Sequence, residues 1–221
     1  MAPKSRAENR ADQTRAILDR ARAQLAEVGP AALSVRQIAR DVGLVSSAVY
    51  RYFPSRDHLL TALIIEAYDE LGTVVEAADP GFLAWADAIR AWALAHPHEY
   101  ALLYGSPVPG YVAPDDTVPA AGRITGALLA MVAESQLAGD TLAAPTGRLS
   151  RAEHAALGPV REAVGTPVDD DRMLRWLMAW STVFGHLSLE LFGHMHRGVL
   201  DYEAHFRQVT GQLAADLGLI R

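Results

Sequence analysis

Apolar residues recur at intervals of three and four along most of the chain, which is the spacing of one face of an α-helix. From residue 79 onward no stretch shows the convincing alternation of a half-buried strand. Proline, glycine and short polar residues interrupt the helical pattern and mark its breaks. The helices predicted in this way cover residues 13–28, 35–42, 46–53, 56–75, 82–95, 98–104, 120–137, 150–164, 172–195 and 201–217.

The stretch from Ser34 to Phe53 contains two of these helices, separated by a short turn. Gly43 ends the first helix, since glycine readily adopts the left-handed conformation that a helix exit needs. The second helix begins at Ser46 and has the right size to enter the major groove of DNA. Two short helices around a glycine turn therefore predict a helix-turn-helix.

Outward-facing residues of this stretch can donate hydrogen bonds to phosphates or base edges. Those with suitable side chains are Ser34, Arg36, Ser46, Ser47, Tyr50, Arg51 and Tyr52. Arg36 or Arg51 could each read a guanine through a bidentate pair. For Tyr50 and Tyr52, core packing beside Phe53 is an alternative to DNA contact.

The formal net charge of −6 alone argues against nucleic-acid binding, but the distribution of charge reverses that argument. Residues 1–56 carry ten Lys/Arg and five Asp/Glu, a balance of +5, so the remaining residues carry −11. A basic region on an acidic protein supplies a local positive field for phosphate, although scatter of this size can also arise by chance. Residues 1–12 are expected to form a disordered basic arm, with a solvated tail of no role as the alternative.

The sequence from Leu33 to Leu60 resembles the DNA-binding domain of TetR-type repressors. The matching features are the core of Val35, Ile38 and Ala39, the turn at Gly43, and the ending Tyr50-Arg51-Tyr52-Phe53-Pro54-Ser55-Arg56. The resemblance implies that Ala48 also faces the groove and that Arg56 holds a phosphate at the start of the fourth helix. Val45 departs from the family, in which Ser or Thr often caps the recognition helix, so Ser46 must cap it or the turn stays uncapped.

Two segments of the second half resemble the C-terminal domain of a TetR subgroup marked by a Trp, His and Gly signature. They run from Trp180 to His194 and from His96 to Tyr111. The resemblance implies an all-α regulator, with an N-terminal three-helix bundle that contains the helix-turn-helix and a C-terminal helical domain for ligand binding and dimerisation. The expected divisions are residues 1–12, 13–58 and 59–221.

The penultimate helix is apolar nearly all round, so it must be buried on two sides. One side can face its own domain, and a second copy of the protein is the simplest partner for the other side. Gly185 would allow a close approach of two helices, and the final helix could complete a four-helix seam. The residues expected at the dimer interface are Met173, Trp176, Val183, Leu187, Leu191, Phe206 and Leu213.

An effector site is also implied, for a small molecule of apolar or aromatic character. Such sites combine aromatic walls with a few polar groups. The expected effector-binding residues are Trp92, Tyr100, Tyr104, Tyr111, Trp180, Phe184, His186 and Glu190. The alternative for the aromatic residues is ordinary core packing, and for His186 and Glu190 it is a role in helix packing.

His186, Glu190 and His194 share one helix face, and two histidines with a glutamate can bind zinc. We expect no metal or cofactor, because a zinc site needs a wider arrangement of ligands than one helical face offers. The sequence has no nucleophile-and-base motif, glycine-rich phosphate loop or paired acid motif, so an enzyme is not expected. A metal-dependent hydrolase that uses these three residues is the alternative to a regulator.

Other features bound the location of the protein. The chain has no cysteine, and its N-terminus has no apolar signal segment. The uncharged stretch from Trp176 to Leu189 is too short for a bilayer, which needs about 20 apolar residues. These features predict a cytoplasmic protein without membrane contact. The helix-turn-helix and the resemblance to TetR-type repressors imply a ligand-responsive transcriptional regulator of the repressor type, which binds a palindromic double-stranded DNA operator as a homodimer.

Overall fold

A computed structural model describes residues 5–140, 142, 148–164 and 168–219 of the chain. The helices are α1 (Arg6–Val28), α2 (Val35–Asp41), α3 (Ser46–Val49), α4 (Arg56–Ala77), α5 (Phe82–Ala95), α6 (Pro97–Tyr104), α7 (Val118–Ala138), α8 (Arg151–Ala156), α9 (Gly158–Val164), α10 (Asp170–Leu191) and α11 (Tyr202–Asp216). No strand occurs in these residues, which confirms the predicted all-α fold class. Between the helices predicted at 120–137 and 150–164, residues 141 and 143–147 lie outside the described residues.

The chain divides into two compact units, and α4 runs from the first into the second. The first unit comprises residues 1–69 and 96–120, and the second comprises residues 70–95 and 121–221. This division differs from the expected boundary after residue 58. The difference arises because the start of α4 packs into the helix-turn-helix core and because residues 96–120 return to the first unit.

The core of the first unit forms where α1, α2, α3 and α4 each bury one apolar stripe. Ile17, Ile38, Val49 and Leu59, one from each helix, have no solvent exposure. Burying such a side chain contributes about 1.5–3 kcal/mol, so these contacts hold the short α2 and α3 in place. Gly43 has φ of 70° and makes the turn between them, a conformation that strains residues with a side chain.

The first helix begins at Arg6 rather than near Gln13. Ser5 starts it with a capping box: the Ser5 hydroxyl accepts from the Glu8 amide at 3.2 Å, and a Glu8 carboxylate oxygen accepts from the Ser5 amide at 2.6 Å. The expected disordered arm is therefore corrected for residues 6–12, which are helical. Residues 1–4 lie outside the described residues.

Residues 96–120 form an excursion of the chain that belongs to the first unit. The hydroxyls of Tyr111 and Thr61 lie 3.0 Å apart, which ties the loop after α6 to α4. Leu102, Val108 and Tyr111 pack against the helix-turn-helix core. Tyr111 is therefore the large anchor of this loop.

The second unit has its core between α5, α7, α10 and α11. Trp85, Leu128, Val183 and Phe206 come from these four helices and are almost completely buried. The helix expected over residues 150–164 is interrupted, because Leu157 separates α8 from α9. In the described part of the chain, no helix combines the length and the apolar character that a membrane span requires.

Candidate nucleic-acid interface and effector site

The arginines of the first unit form two groups, which differ in what their guanidinium groups contact. Those of the first group contact partners inside the unit; they are Arg10, Arg15, Arg20, Arg22, Arg40 and Arg56. Those of the second group, Arg6, Arg36 and Arg51, make no ion pair or side-chain hydrogen bond with any residue that the structure describes. Their charge is therefore available to an external anion.

Arg20 shows what the first group does. Its Nε donates to Asp41 Oδ2 at 2.6 Å and its Nη1 donates to Glu27 Oε1 at 2.8 Å, which joins the middle of α1 to its end and to the end of α2. These hydrogen bonds raise the pKa of Arg20 and lower the pKa of both carboxyl groups. The carboxylates stay ionised and bound, so this arginine is committed to the fold.

The predicted DNA-contacting residues of α2 and α3 are mostly accessible. Arg36, Ser47, Tyr50 and Arg51 are exposed, whereas Ser34, Ser46, Ala48 and Tyr52 are half-buried. Tyr50 is 44% exposed, so core packing does not use up its ring. Tyr52 packs against the core and also lies under the Arg10 guanidinium, 5.1 Å from its ring centroid. The two tyrosines therefore differ: Tyr52 is mainly structural and Tyr50 is free.

In the sequence, Val45 stands out only because it departs from the family pattern. It occupies the N-cap of α3, where it makes no side-chain cap, and Ser46 does not replace it. Its side chain is 69% exposed at the entrance of the recognition helix. An apolar side chain in this position can contact the methyl group of thymine, so Val45 joins the candidate DNA contacts. Sequence reasoning missed Val45 because the exposure of this apolar side chain is visible only in the structure.

Ser34 and Arg56 have structural tasks: the N-cap role of Ser34 is expected of a serine before a helix, whereas the role of Arg56 is not visible in the sequence. The Ser34 hydroxyl caps α2 by accepting from the Gln37 amide at 3.3 Å. The Arg56 guanidinium donates to the carbonyl oxygens of Pro30 at 2.7 Å, Ala31 at 2.9 Å and Leu33 at 3.2 Å. These donors fix the loop between α1 and α2, and the expected phosphate contact of Arg56 stays a prediction.

Both halves of the chain match known sequence families. Residues 17–63 match "Bacterial regulatory proteins, tetR family", and residues 82–213 match "Tetracyclin repressor-like, C-terminal domain". The chain belongs to the TetR family of transcriptional regulators. This assignment confirms the resemblance of Leu33 to Leu60, and the protein is a DNA-binding transcriptional regulator rather than an enzyme.

Individual relatives of this TetR-family protein agree with the assignment. The HTH-type transcriptional regulator Rv1816 of Mycobacterium tuberculosis is 41% identical over 217 residues, which cover 90% of this chain and 91% of that protein. The crystal structure of SCO4313 matches with a TM-score of 0.80 at 33% identity, covering 95% of this chain and 98% of that one. The repressor LfrR of Mycolicibacterium smegmatis is 44% identical over 66 residues, or 30% of this chain and 34% of LfrR.

The predicted effector-binding residues of this TetR-family chain fall into both units. Tyr100, Tyr104 and Tyr111 belong to the first unit, and Trp92, Trp180, Phe184, His186 and Glu190 belong to the second. In the first unit, the Tyr104 ring lies 5.2 Å from the Tyr100 ring and 6.1 Å from the Tyr68 ring. Burial raises the pKa of Tyr104, so its hydroxyl remains a neutral hydrogen-bonding group. Tyr68 is an aromatic neighbour that sequence reasoning missed.

In the second unit an aromatic cluster surrounds Phe184. Its ring lies 5.6 Å from that of Trp180 and 6.5 Å from that of Trp85. The indole Nε1 atoms of Trp85 and Trp180 are buried and have no hydrogen-bond partner among the described residues. A buried unpaired donor costs about 1–3 kcal/mol, so an acceptor atom that reached these nitrogens would be stabilised.

A buried ion pair lies elsewhere in the second unit. Arg90 donates to the two carboxylate oxygens of Glu190 at 2.6 and 3.1 Å, and its guanidinium lies 5.6 Å from the Phe206 ring centroid. Sequence reasoning missed Arg90 because its partner is 100 residues away along the chain. The pair fixes Glu190 in the fold, so this carboxylate is no longer a free polar group for an effector.

His186 lies beside this pair, with its Nδ1 atom 4.0 Å from Glu190 Oε2. Its ring packs on those of His205 and Phe206, and neither nitrogen has a hydrogen-bond partner among the described residues. Burial lowers the pKa of His186, although the Glu190 carboxylate opposes the shift. The hydrolase alternative receives no support, since Arg90 occupies both oxygens of Glu190 and His194 lies beyond the end of α10.

The structure corrects five of the expected dimer residues and leaves Leu191 and Leu213 as predictions. Met173, Trp176, Val183, Leu187 and Phe206 are buried inside their own unit, and Leu191 and Leu213 are half-buried on the same helix faces. The opposite face of α10 exposes Met178 by 53% and Leu189 by 45%, and Phe192 just after it by 43%. The helix is apolar on both sides, as predicted, but the larger side chains fill the protein's own core.

Proposed function

We propose that this TetR-family regulator is a cytoplasmic repressor that binds a palindromic operator as a homodimer and is released by a small-molecule effector. The observation that carries the proposal is the division of the arginines. Arg36 and Arg51 are exposed and unpaired within the described residues, one on α2 and the other just after α3, while most neighbouring arginines are held by the fold. Cations left free on a helix-turn-helix are suited to phosphate and guanine.

The helix-turn-helix of one protomer has contacts for only half of an operator. In our proposal two recognition helices lie about 34–36 Å apart, so that they enter successive major grooves on one face of the DNA. Arg51 and Arg36 supply the hydrogen bonds to guanine or phosphate, Ser47 and Tyr50 supply further donors, and Val45 supplies an apolar contact. Arg56 supports this surface indirectly, because it holds the loop before α2 in place.

The homodimer is proposed to form through the outward faces of α10 and α11. Met178, Leu189 and Phe192 provide apolar area on α10, and a side chain at Gly185 would meet no atom within 4 Å. The outward face of α11 carries the small residues Ala204, Gly211 and Ala215 at helical spacing. Small residues let two helices approach closely, and large apolar residues supply the apolar area that homodimer interfaces bury.

The effector is proposed to be an apolar or aromatic molecule that carries a hydrogen-bond acceptor. Trp85, Trp180 and Phe184 offer aromatic surface, and the two buried indole N–H groups offer donors. The effector can release DNA only if it binds the non-DNA-binding conformation more tightly than the DNA-binding one. Tyr100, Tyr104, Trp92 and His186 stay candidates for further contacts.

The DNA-binding proposal is tested with labelled fragments of the intergenic DNA that flanks the gene. Wild-type protein is expected to protect a palindrome, and Arg51→Ala is expected to lose at least about 1–3 kcal/mol of binding per half-site, because a bidentate contact is worth that much. Arg15→Ala is the control, since Arg15 is paired with Glu66. Absence of a protected site at moderate salt, with and without a panel of aromatic carbonyl compounds, would refute the repressor proposal.

The dimer proposal is tested by measuring molar mass in solution by light scattering. Leu189→Glu is expected to convert a dimer to a monomer, because it places charges against each other at an apolar interface. Leu83→Glu is the matched control, since Leu83 is 48% exposed on α5 and Leu189 is 45% exposed on α10. Equal masses for the two variants would contradict the assignment of this face.

A further inference from the structure

A cleft lies in the first unit between the start of α1 and the chain just after α3. Its walls are Arg6, Asn9, Arg10 and Gln13 from α1 and Arg51 and Tyr52 from the other side. The four α1 residues are spaced at i, i+3, i+4 and i+7, so they share one helix face. The cavity volume is about 510 Å³, which is ample for a phosphate group and its bridging waters.

The cleft is built for an anion. Three of its lining residues are arginines, and none of them is acidic. Arg6 and Arg51 make no ion pair with any described residue, and the Arg10 guanidinium contacts only the face of the Tyr52 ring, 5.1 Å from the centroid. A guanidinium stacked on an aromatic ring keeps its N–H groups free at the edge, where they can reach an oxygen.

The lining also contains an unsatisfied amide. The Oε1 atom of Gln13 is buried and has no hydrogen-bond partner among the described residues. A half-turn of this amide places its NH₂ group at the same position, where it can donate to a phosphate oxygen or to a water held by one. The Gln13 amide therefore gives the cleft a neutral donor beside its three cations.

Helix α1 holds this charge in a fixed place. The capping box of Ser5 and Glu8 starts the helix immediately before Arg6, and the hydrogen bonds within the box lower the pKa of Glu8, so its carboxylate is committed to the cap. Arg6 and Arg10 are thus one turn apart on an ordered helix instead of on a mobile arm. Little backbone freedom is therefore lost when they bind, which favours affinity.

We propose that this cleft binds a backbone phosphate of the DNA half-site, next to the major-groove contacts of α2 and α3. Arg51 belongs to both surfaces, since it follows the recognition helix and also lines the cleft. The cleft contributes affinity and register without reading a base, because a phosphate carries no sequence information. The inference rests on the proposed DNA binding and adds α1 to it.

A phosphate subsite makes a specific prediction about salt. Each neutralised phosphate contributes about 0.9 to the slope of log affinity against log salt concentration, so a dimer with two clefts loses about 1.8 of slope when both clefts are disabled. Affinity is expected to fall about tenfold or more at physiological salt for operator and scrambled duplex alike. The ratio between the two affinities is expected to stay unchanged.

The experiment compares wild-type protein with the double variant Arg6→Ala/Arg10→Ala on an operator duplex and a scrambled duplex across a series of salt concentrations. Arg15→Ala is the charge-matched control on the same helix, because Arg15 is bound to Glu66 outside the cleft. The charge-preserving variant Arg6→Lys/Arg10→Lys is expected to retain most of the wild-type slope. Circular dichroism of each variant shows whether α1 remains helical.

The outcomes separate this inference from the proposed function. A double variant with wild-type affinity and slope would overturn the cleft while leaving operator binding intact. A double variant that weakens binding only to the operator would also overturn it, because the cleft would then be reading bases. Failure of wild-type protein to bind either duplex would overturn the operator proposal itself, and the cleft with it.

Discussion

The three exposed arginines of the first unit differ sharply from the buried Arg90 of the second unit. In the first unit Arg6, Arg36 and Arg51 project into solvent without a partner among the described residues. In the second unit the Arg90 side chain is only 15% exposed and is bound by Glu190, which is 5% exposed. The guanidinium group is therefore available to an external anion at Arg6, Arg36 and Arg51, whereas at Arg90 it is bound to an internal carboxylate.

The contrast shows why net charge describes this chain poorly. A solvated arginine costs nothing to keep charged and gains energy only when a phosphate arrives, which makes affinity strongly dependent on salt. A buried arginine has already given up its hydration, and its partner must compensate for that loss. Removing a charge should therefore affect DNA binding in the first unit and folding in the second.

Removal of Glu190 should have the largest effect on stability. Glu190→Ala leaves the guanidinium of Arg90 buried against Phe206 without its carboxylate, and breaking one side of a buried pair costs about 3–5 kcal/mol. The free energy of unfolding, measured with urea, is expected to fall by that amount. Operator binding by the fraction that remains folded should be unchanged.

Two further variants sharpen that measurement. Glu76→Ala removes the carboxylate partner of Arg123 on the surface, where the side chains are 53% and 29% exposed, and should cost no more than about 1 kcal/mol. The double change Arg90→Met/Glu190→Leu removes both buried charges and should recover most of the loss. A loss in Glu190→Ala no larger than that in Glu76→Ala would mean that burial does not distinguish the two pairs.

Arg56 breaks the simple contrast from within the first unit. It is an arginine of the DNA-binding unit that acts in folding, through hydrogen bonds to the carbonyls of Pro30, Ala31 and Leu33. Arg56→Ala is expected to lower the free energy of unfolding by about 2 kcal/mol, since hydrogen bonds to charged groups are worth roughly 1.5–3 kcal/mol. Thermal unfolding followed by circular dichroism checks this value.

Arg51→Ala is the matched control for Arg56→Ala, because the two residues are five positions apart. Its exposed side chain has no partner in the described chain, so the stability change should stay within about 0.5 kcal/mol while DNA binding is lost. If Arg56→Ala were as stable as Arg51→Ala and bound DNA as poorly, the result would favour the phosphate contact that the family resemblance implies for Arg56.

The sequence predicts the helix-turn-helix well because its determinants are local. Gly43 is followed within three residues by Ser46, and the apolar positions of α1 to α4 form stripes that can face only one core. The start of α1 is also determined locally, since Ser5 and Glu8 have the spacing of a capping box. The prediction placed the start later because the segment around these residues is polar and resembles a disordered arm.

The sequence predicts the packing of the second unit less well, because this packing depends on residues that are far apart in the chain. On α10 both faces are apolar, and only the positions of α5 and α11 decide that Val183 and Leu187 turn inward while Met178 and Leu189 stay outside. The pairing of Arg90 with Glu190 is invisible for the same reason, since no periodic pattern connects residues so far apart. The structural role of Arg56 is hidden in the sequence for another reason: its acceptors are backbone carbonyl groups, which every residue has.

His186 gives the smallest of the expected effects and tests whether the buried charges of the second unit respond to pH. Desolvation lowers the pKa of His186 below its ordinary value of 6.5, Glu190 opposes that shift, and His205 and Arg90 reinforce it. The unfolded chain therefore binds a proton more readily than the folded one, so stability is fully present above about pH 6.5 and is lost as pH falls through the folded pKa.

The slope of this loss is at most about 1.4 kcal/mol per pH unit for a single group, and urea unfolding at closely spaced pH values measures it. His186→Gln is expected to flatten the profile just below pH 6.5, because the titrating group is gone. His205→Gln should leave most of the slope, since His205 is exposed and only touches the His186 ring. A profile equally steep in wild-type protein and His186→Gln would show that His186 does not titrate on unfolding, and that the second unit keeps its buried charge independent of pH.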